Sequence, residues 1–224
     1  MSEIIKPGAG DFEFLARLSK PAGRRTFLKW AGASSLVLAA GCGDDDDDNG
    51  GTGPDDDAVV TLPLTSDTDI LKFALFLELL EADFYTRAVA AGILSGTVLE
   101  IATGVRDNEQ AHVDFLQSAL AGEAFDEDDV EFDFGQTLSS QDAFIDAAVT
   151  FEQTGVGAYL GALPLIDSRS IRRSAGTIFT VEARHTSVFR ALNGEANPVP
   201  RSFEEPLTAQ QVVTAVTPFV ERGL

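Results

Sequence analysis

Hydrophobic residues recur at three- and four-residue spacing through most of the chain after Ser66. This period is typical of amphipathic helices rather than strands, and no stretch shows the alternation of a strand. Four long helices are predicted, at residues 66–92, 97–120, 139–162 and 168–192, followed by a short fifth helix at 208–222. An acidic stretch at 122–135 has no helical period and is interpreted as a long connection. We therefore expect an all-α domain in which a crossover joins two helical hairpins.

Polar residues at the predicted helix starts support this division. Ser66 and Asp69 are placed to begin the first helix, and Thr97 with Glu100 resembles a capping box for the second. In such a box the first side chain accepts a backbone N–H and the second returns the bond. Asn193 and Gly194 are typical of a helix end and close the fourth helix.

The N-terminal segment, residues 1–41, has the features of an export signal. Arg24 and Arg25 begin the hexad Arg-Arg-Thr-Phe-Leu-Lys, which resembles the twin-arginine signal. The weakly polar run that follows is too short to span a bilayer but suits a signal peptide. It ends at Cys42, the only cysteine of the chain, in a sequence similar to a lipobox. Cys42 is therefore the predicted lipidation site. A chance basic pair and an incidental cysteine near an ordinary cleavage site are the alternatives.

Residues 42–64 follow as a segment rich in aspartate and glycine. Such a composition cannot bury apolar surface and repels itself, so we expect a disordered acidic tether. The tether would hold a folded domain, residues 65–224, away from a membrane. Export by the twin-arginine machinery would place the protein on the extracytoplasmic side, in a periplasm or at a cell surface, anchored by lipid.

The charge balance limits the partners of the protein. The formal net charge is −20 at pH 7. Such a surface repels phosphate backbones, so nucleic-acid binding is not expected, whereas cations are attracted. The sequence makes no prediction of the oligomeric state.

The second and fourth predicted helices each carry a glutamate followed three residues later by a histidine, Glu109 with His112 and Glu182 with His185. A three-residue step turns a helix by about 300° and rises roughly 4.5 Å, so the two side chains share a face. The first and third helices each carry a glutamate followed seven residues later by a tyrosine, nearly two turns on. These pairs are Glu78 with Tyr85 and Glu152 with Tyr159.

The two halves of the chain repeat this pattern. Glu152 follows Glu78 by 74 residues, and the second Glu-x-x-His follows the first by 73. The chain has two histidines and two tyrosines, and all four belong to the repeat. Each glutamate lies where core residues recur, and converging buried carboxylates are costly without a cation. Two divalent ions are the predicted counter-charge. A bundle that keeps the pattern without metal is the alternative, since one Glu-x-x-His alone is weak evidence.

These residues resemble the ferritin-like superfamily, in which two helices each supply a glutamate and two others each supply Glu-x-x-His. More narrowly, the chain is similar to exported twin-arginine ferritin-like proteins related to plant desiccation-related proteins. The resemblance implies a four-helix bundle and tyrosines, Tyr85 and Tyr159, that orient ligands. Glu81 is interpreted as a solvated flank, with an extra ligand or a proton acceptor as alternatives. The implied metal ligands are Glu78, Glu109, His112, Glu152, Glu182 and His185.

Oxygen-rich sites with one imidazole per ion suit iron or manganese better than zinc or copper, and the resemblance makes iron the leading choice, with manganese second. The resemblance then implies reaction with dioxygen or peroxide, of the ferroxidase or peroxidase type, so that an oxidoreductase is the leading interpretation. Two other interpretations stay open: a non-catalytic stress- or desiccation-related bundle, and an enzyme similar to manganese catalase.

Overall fold

The computed structural model describes residues 58–60 and 62–224, which all belong to one unit of the chain, Gly51–Leu224. The predicted export signal with Arg24 and Arg25, the predicted lipidation site Cys42 and most of the predicted tether lie outside the described residues. Among the described helices, none combines the length and the apolar character that a membrane span requires.

Four long helices and one short helix make up the described domain, which confirms the all-α prediction. The long helices form two antiparallel hairpins, since α1 packs mainly on α2 and α3 packs mainly on α4. Two very short strands complete the fold. The elements are α1 Asp67–Ala90, α2 Gly96–Leu120, β1 Glu131–Phe132, α3 Gln141–Ala162, α4 Arg169–Leu192, α5 Ala209–Val216 and β2 Val220–Arg222.

The start of α1 is the predicted one, but the start of α2 is not. Ser66 and Asp69 form a complete capping box in front of α1. The predicted box of Thr97 and Glu100 is wrong, because α2 begins at Gly96 and Thr97 already lies inside it. Ser95 precedes α2 without a side-chain cap, and its backbone N–H donates to Gln141 Oε1 at 3.0 Å. The first residue of α3 thus contacts the start of α2.

The C-terminal region differs from the predicted fifth helix. Helix α5 ends at Val216 and a 3₁₀ turn follows, because Pro218 lacks the N–H that a continuing α-helix needs. Val220–Arg222 then pairs antiparallel with Glu131–Phe132 of the crossover. The expectation of no strands was therefore wrong. Strands of two and three residues are too short to show an alternating pattern.

A close backbone crossing holds the segment before α5 against α3. The Leu207 N–H donates to the Gly157 carbonyl oxygen at 2.9 Å. A Cβ built at Gly161 would lie 1.9 Å from the Leu207 carbonyl oxygen, far inside van der Waals contact. Only glycine at position 161 allows the two chains to approach in this way.

Candidate metal centre

The six residues predicted as ligands lie together in the middle of the bundle, and all are buried. They come from all four long helices, one from each of α1 and α3 and two from each of α2 and α4. On α2 and α4 the ligands lie on the buried face of an amphipathic helix, whereas α1 and α3 are buried around most of their circumference at this level. The residues are Glu78, Glu109, His112, Glu152, Glu182 and His185.

Two overlapping groups of four residues can each hold one metal ion. In each group, one oxygen or nitrogen atom per residue lies within 4.8 Å of the others. Glu109 and Glu182 are common to both groups, which places them between the two. The first group adds Glu78 and His112, and the second adds Glu152 and His185.

The two histidines make matching contacts with these carboxylates. His112 Nδ1 lies 3.0 Å from Glu78 Oε2 and 2.9 Å from Glu109 Oε2. His185 Nδ1 lies 2.9 Å from Glu109 Oε1 and 3.2 Å from Glu152 Oε2. Glu109 thus contacts both histidines through different oxygens, and the sequence repeat becomes an approximate two-fold arrangement of side chains.

Each buried tyrosine donates its hydroxyl to the glutamate of the other half. Tyr159 on α3 donates to Glu78 Oε1 on α1 at 2.5 Å, and Tyr85 on α1 donates to Glu152 Oε1 on α3. Burial, followed by the charge of the glutamate each contacts, raises the pKa of both hydroxyls. The two phenols therefore stay protonated and fix one oxygen of each glutamate, leaving the other free to bind.

Burial dominates the electrostatics of the carboxylates. It raises the pKa of Glu182 well above its ordinary range, and the nearby charge of Glu109 adds to the effect. For Glu109, burial is opposed by hydrogen bonds from His112 and His185, and the pKa rises to about 7. Without metal, this cluster therefore retains protons at neutral pH.

The histidines respond in the opposite sense to burial. Burial disfavours their charged form, but hydrogen bonds to Glu109 and Glu78 raise the pKa of His112 to about 10. Bonds to Glu109 and Glu152 likewise raise the pKa of His185 to about 9. Protons on the imidazoles thus supply positive charge that a metal ion would replace.

Glu81 belongs to this site, and its interpretation as a solvated flank is wrong. Its exposed fraction is 5%, and burial followed by the charge of Glu152 raises its pKa well above the ordinary value. A Cβ built at Gly155 would lie 3.3 Å from Glu81 Oε1 and 3.4 Å from Glu182 Oε2. The absence of a side chain at position 155 therefore leaves room for a fifth carboxylate beside Glu182.

One further contact was not predictable from any sequence pattern. The side-chain amide nitrogen of Asn108 lies 3.0 Å from His185 Nε2, so that Nδ1 is the ring nitrogen facing the carboxylates. Asn108 is exposed and breaks the repeat, because Val181 occupies the matching position in the second half.

Several buried carboxylate oxygens of the cluster have room for a cation as a partner. Both carboxylate oxygens of Glu182, Oε1 of Glu109 and Oε2 of Glu152 lack a well-aligned hydrogen-bond donor among the described residues, although three of them lie within 3.3 Å of a histidine Nδ1. Buried polar atoms are rarely left unpaired, and unpaired buried carboxylates are the costliest kind. All four orphaned atoms belong to the second group of possible ligands. The cluster is compatible with a metal site in charge, donor type and spacing.

The arrangement of four glutamates and two histidines on four helices agrees with a comparison against protein families. A model described as a ferritin-like domain matches residues 66–195, more than half of the chain. The chain belongs to the ferritin-like domain family. The match covers all four long helices and every residue of both candidate groups. A search of curated proteins finds no match. The ferritin-like domain thus accounts for the bundle and leaves the chemistry to be argued from its own residues.

Proposed function

We propose that this protein is an exported, lipid-anchored ferritin-like protein whose dinuclear iron centre reacts with dioxygen or peroxide. The observation that carries the proposal is the pair of four-residue groups that share Glu109 and Glu182. A pair of carboxylates shared between two sets of ligands suits two neighbouring divalent ions, and the residue pattern is the one that carboxylate-bound metal pairs use in four-helix bundles.

Each residue has a proposed role in binding. Glu109 and Glu182 would help to hold both ions, because each belongs to both groups. Glu78 and His112 would complete the ligand set of one ion, and Glu152 and His185 would complete that of the other. The donor set of carboxylates with one imidazole per ion favours iron, with manganese as the competing metal.

An iron pair bound here would supply the redox equivalents for ferroxidase or peroxidase chemistry. The surrounding residues set the conditions for it. Tyr159 and Tyr85 hold Glu78 and Glu152 in place through their hydroxyls. The carboxyl group of Glu81, whose pKa is raised by burial, holds a proton beside Glu182 and is placed to deliver it as oxygen is reduced. The buried setting excludes bulk water from the six proposed ligands.

Export and anchoring rest on the sequence motifs alone. Arg24 and Arg25 direct the proposed twin-arginine export, and Cys42 is the proposed lipid attachment site. Expression in a host with this export route provides the test. Replacing both arginines by lysine should retain the protein in the cytoplasm, and Cys42→Ser should move it from the membrane to the soluble fraction. Membrane association unchanged by Cys42→Ser would contradict the anchor.

The metal proposal is tested by counting ions. The full chain is loaded with Fe(II) without oxygen, freed of loose metal and measured by elemental analysis, and its consumption of dioxygen and peroxide is then followed. We expect two irons per chain and oxidant consumption, both lost in Glu109→Ala. Glu100→Ala, which removes an exposed carboxylate from the same helix, is the matched control and should keep both.

Other results would replace the proposal. Two tightly bound manganese ions with peroxide disproportionation would favour an enzyme similar to manganese catalase. Stoichiometric metal without oxidant turnover would leave a stress-related bundle with a structural metal. No stoichiometric metal of any kind would refute the dinuclear centre.

A further inference from the structure

A cavity of about 270 Å³ lies in the bundle on one side of the candidate metal centre. All four long helices contribute to its wall, and the lining is apolar apart from the hydroxyls of Tyr159, Ser170 and Ser174. Tyr159 separates the cavity from the centre, because its ring lines the cavity while its hydroxyl donates to Glu78 at 2.5 Å. The exposed fraction of Phe115, also in the wall, is 41%, so the cavity reaches the protein surface.

A comparison of the two halves of the repeat shows which aromatic rings the cavity region lacks. We call the two sides of the centre the Tyr159 end, which holds the cavity, and the Tyr85 end. Offsets of 74 residues between α1 and α3, and of 73 between α2 and α4, pair the positions of the two ends. Three phenylalanines of the Tyr85 end have smaller partners at the Tyr159 end. The pairs are Phe84 with Ala158, Phe144 with Ile70, and Phe189 with Leu116. At two other positions of the cavity wall the order is reversed, since Phe73 and Phe115 match Ala147 and Val188.

Those three rings fill the Tyr85 end. Phe84 stacks on Phe144 with ring centres 5.2 Å apart, and Phe144 contacts Phe189 edge-on at 5.8 Å. Their partners Ala158, Ile70 and Leu116 all line the cavity. At these three positions the cavity region lacks an aromatic ring that the other half of the repeat has.

The size and lining of the cavity limit what it can hold. A dry apolar cavity of about 150 Å³ accommodates a benzene molecule, so this one has room for a slender molecule of roughly ten heavy atoms. No charged side chain is among its lining residues. The part of a ligand inside the cavity must therefore be a hydrocarbon, since an uncompensated polar group would be costly there.

Positive charge is concentrated beside the cavity. Arg169, Arg172 and Arg173 lie in the first turns of α4, interleaved with the cavity-lining residues Ser170 and Ser174. The chain as a whole has a net charge of −20, so this cluster is exceptional. Cations at a helix N-terminus also oppose the helix dipole, which favours anions there.

Two of these arginines are available for an anion. Arg172 is held by the Ile166 carbonyl oxygen, to which its Nε donates at 3.0 Å. The side chains of Arg169 and Arg173 make no hydrogen bond or ion pair with any other residue in the described part of the chain. Arg173 lies one turn after Arg169, so the two share a face of α4, about 100° around the helix from the lining residue Ser174.

We infer that the cavity binds one medium-chain fatty acid, with roughly ten carbons of hydrocarbon inside and the carboxylate outside at Arg169 and Arg173. The end of the chain would then lie against Tyr159, one hydrogen bond from Glu78. This site goes beyond the proposed metal chemistry and does not depend on it, because none of the proposed metal ligands lines the cavity.

Calorimetric titration of the full chain with decanoate tests this site, in metal-free and metal-loaded protein. We expect saturable binding of one decanoate per chain in both forms. Leu116→Phe and Ala158→Phe each place in the cavity the phenylalanine found at the matching position of the Tyr85 end. Each should weaken decanoate binding at least tenfold. Ala90→Phe, which adds the same ring at an exposed position of α1, is the control and should bind like the wild type.

The carboxylate contact is tested separately. Replacing Arg169 and Arg173 by alanine should weaken decanoate binding several-fold and leave 1-decanol binding unchanged, whereas Arg184→Ala, elsewhere on α4, should alter neither. Circular dichroism confirms the fold of each variant. If either Phe variant fails to fold, Ser174→Ile, which copies Ile101 of the other half, should weaken binding as well.

Two outcomes would overturn the inference. One is the absence of saturable decanoate binding by the wild type. The other is equal decanoate binding by the wild type and by the variants that place a phenylalanine in the cavity. If the wild type binds decanoate but no stoichiometric metal, the proposed function is refuted and the fatty-acid site remains supported.

Discussion

The Tyr85 end and the Tyr159 end of the bundle come from one repeated pattern and differ in what fills them. At the Tyr85 end, Phe84, Phe144 and Phe189 pack against one another and against Tyr85. At the Tyr159 end, smaller residues at the matching positions surround a cavity of about 270 Å³. Between the two ends, the six proposed ligands and the two tyrosines match residue for residue, whereas Glu81 matches Gly155.

The difference separates two kinds of constraint on a repeated sequence. The six proposed ligands and the two tyrosines must keep both chemistry and position in each half, because they contact partners from the other half. Residues that only fill space can diverge as long as the remaining core sustains the fold. One end then serves stability, and the other is free to accept a ligand.

The largest expected effect is the loss of a ring at the Tyr85 end. Phe144→Ala should destabilise the protein by about 4 kcal/mol, because it opens a cavity in a close-packed cluster. Ile70→Ala at the matching position should cost about 2 kcal/mol or less, because its surroundings are already incompletely packed. Urea unfolding of the two variants measures the difference. Equal losses would remove the distinction between the two ends.

The cluster shared by both ends should make the metal-free protein sensitive to pH. The pKa of Glu109 is about 7 in the folded state, above its ordinary value of 4.5. The stability that its proton provides is fully present below pH 4.5 and is lost as the pH rises through 7. His112 acts in the same direction, with a contribution that is lost as the pH rises from 6.5 through about 10.

The unfolding temperature of the metal-free protein should therefore fall by about 5 °C between pH 5 and pH 8, equivalent to about 2 kcal/mol. The metal-loaded protein should not show this fall, because its ligands are deprotonated and bind better as the pH rises. Glu109→Gln should flatten the metal-free dependence, while Glu100→Gln should leave it unchanged. A metal-free unfolding temperature that rises over this interval would contradict the assignment.

The two tyrosines allow a finer comparison of the ends. Tyr85→Phe leaves Glu152 without its hydroxyl donor, and Tyr159→Phe does the same to Glu78. Each should cost about 1.5 kcal/mol, typical of a hydrogen bond to a charged group. Thermal unfolding with and without decanoate tests both variants. Decanoate should change the effect of Tyr159→Phe alone, and an equal change in Tyr85→Phe would place the ligand elsewhere.

Exchanging one pair of side chains between the ends should have the smallest effect. Leu116→Phe fills part of the cavity and should stabilise the protein by about 1 kcal/mol. Phe189→Leu, the reverse change at the Tyr85 end, should destabilise it by about 1 kcal/mol. Unfolding by guanidinium gives both values. Destabilisation by Leu116→Phe would show that the space at the Tyr159 end cannot take a ring.

Much of the fold was accessible from the sequence because helical periodicity is strong in long amphipathic segments. The four long helices begin and end within a few residues of the predicted bounds, and the repeat of glutamate and histidine identified the cluster that the bundle brings together. The prediction failed where local and distant signals compete. The strand at Val220–Arg222 exists only because the distant crossover supplies its partner.

Glu81 shows the corresponding limit at the site. A glutamate one turn from Glu78 is equally consistent with a solvated face and with the site, since helical spacing does not fix how far a buried face extends. Its burial depends on Gly155 of another helix, whose missing side chain leaves the space. The cavity is hidden for the same reason, because it arises from small residues on several helices that no local pattern connects.

The crossing of Leu207 over Gly161 has a genetic consequence. Every single-base missense change in a glycine codon introduces a side chain, and at position 161 its first carbon would overlap the Leu207 carbonyl oxygen. Such a change would force the segment before α5 away from α3. No missense change at this codon therefore leaves the crossing intact. A deep mutational scan should find position 161 as intolerant of substitution as the positions of the proposed metal ligands, although Gly161 is not one of them.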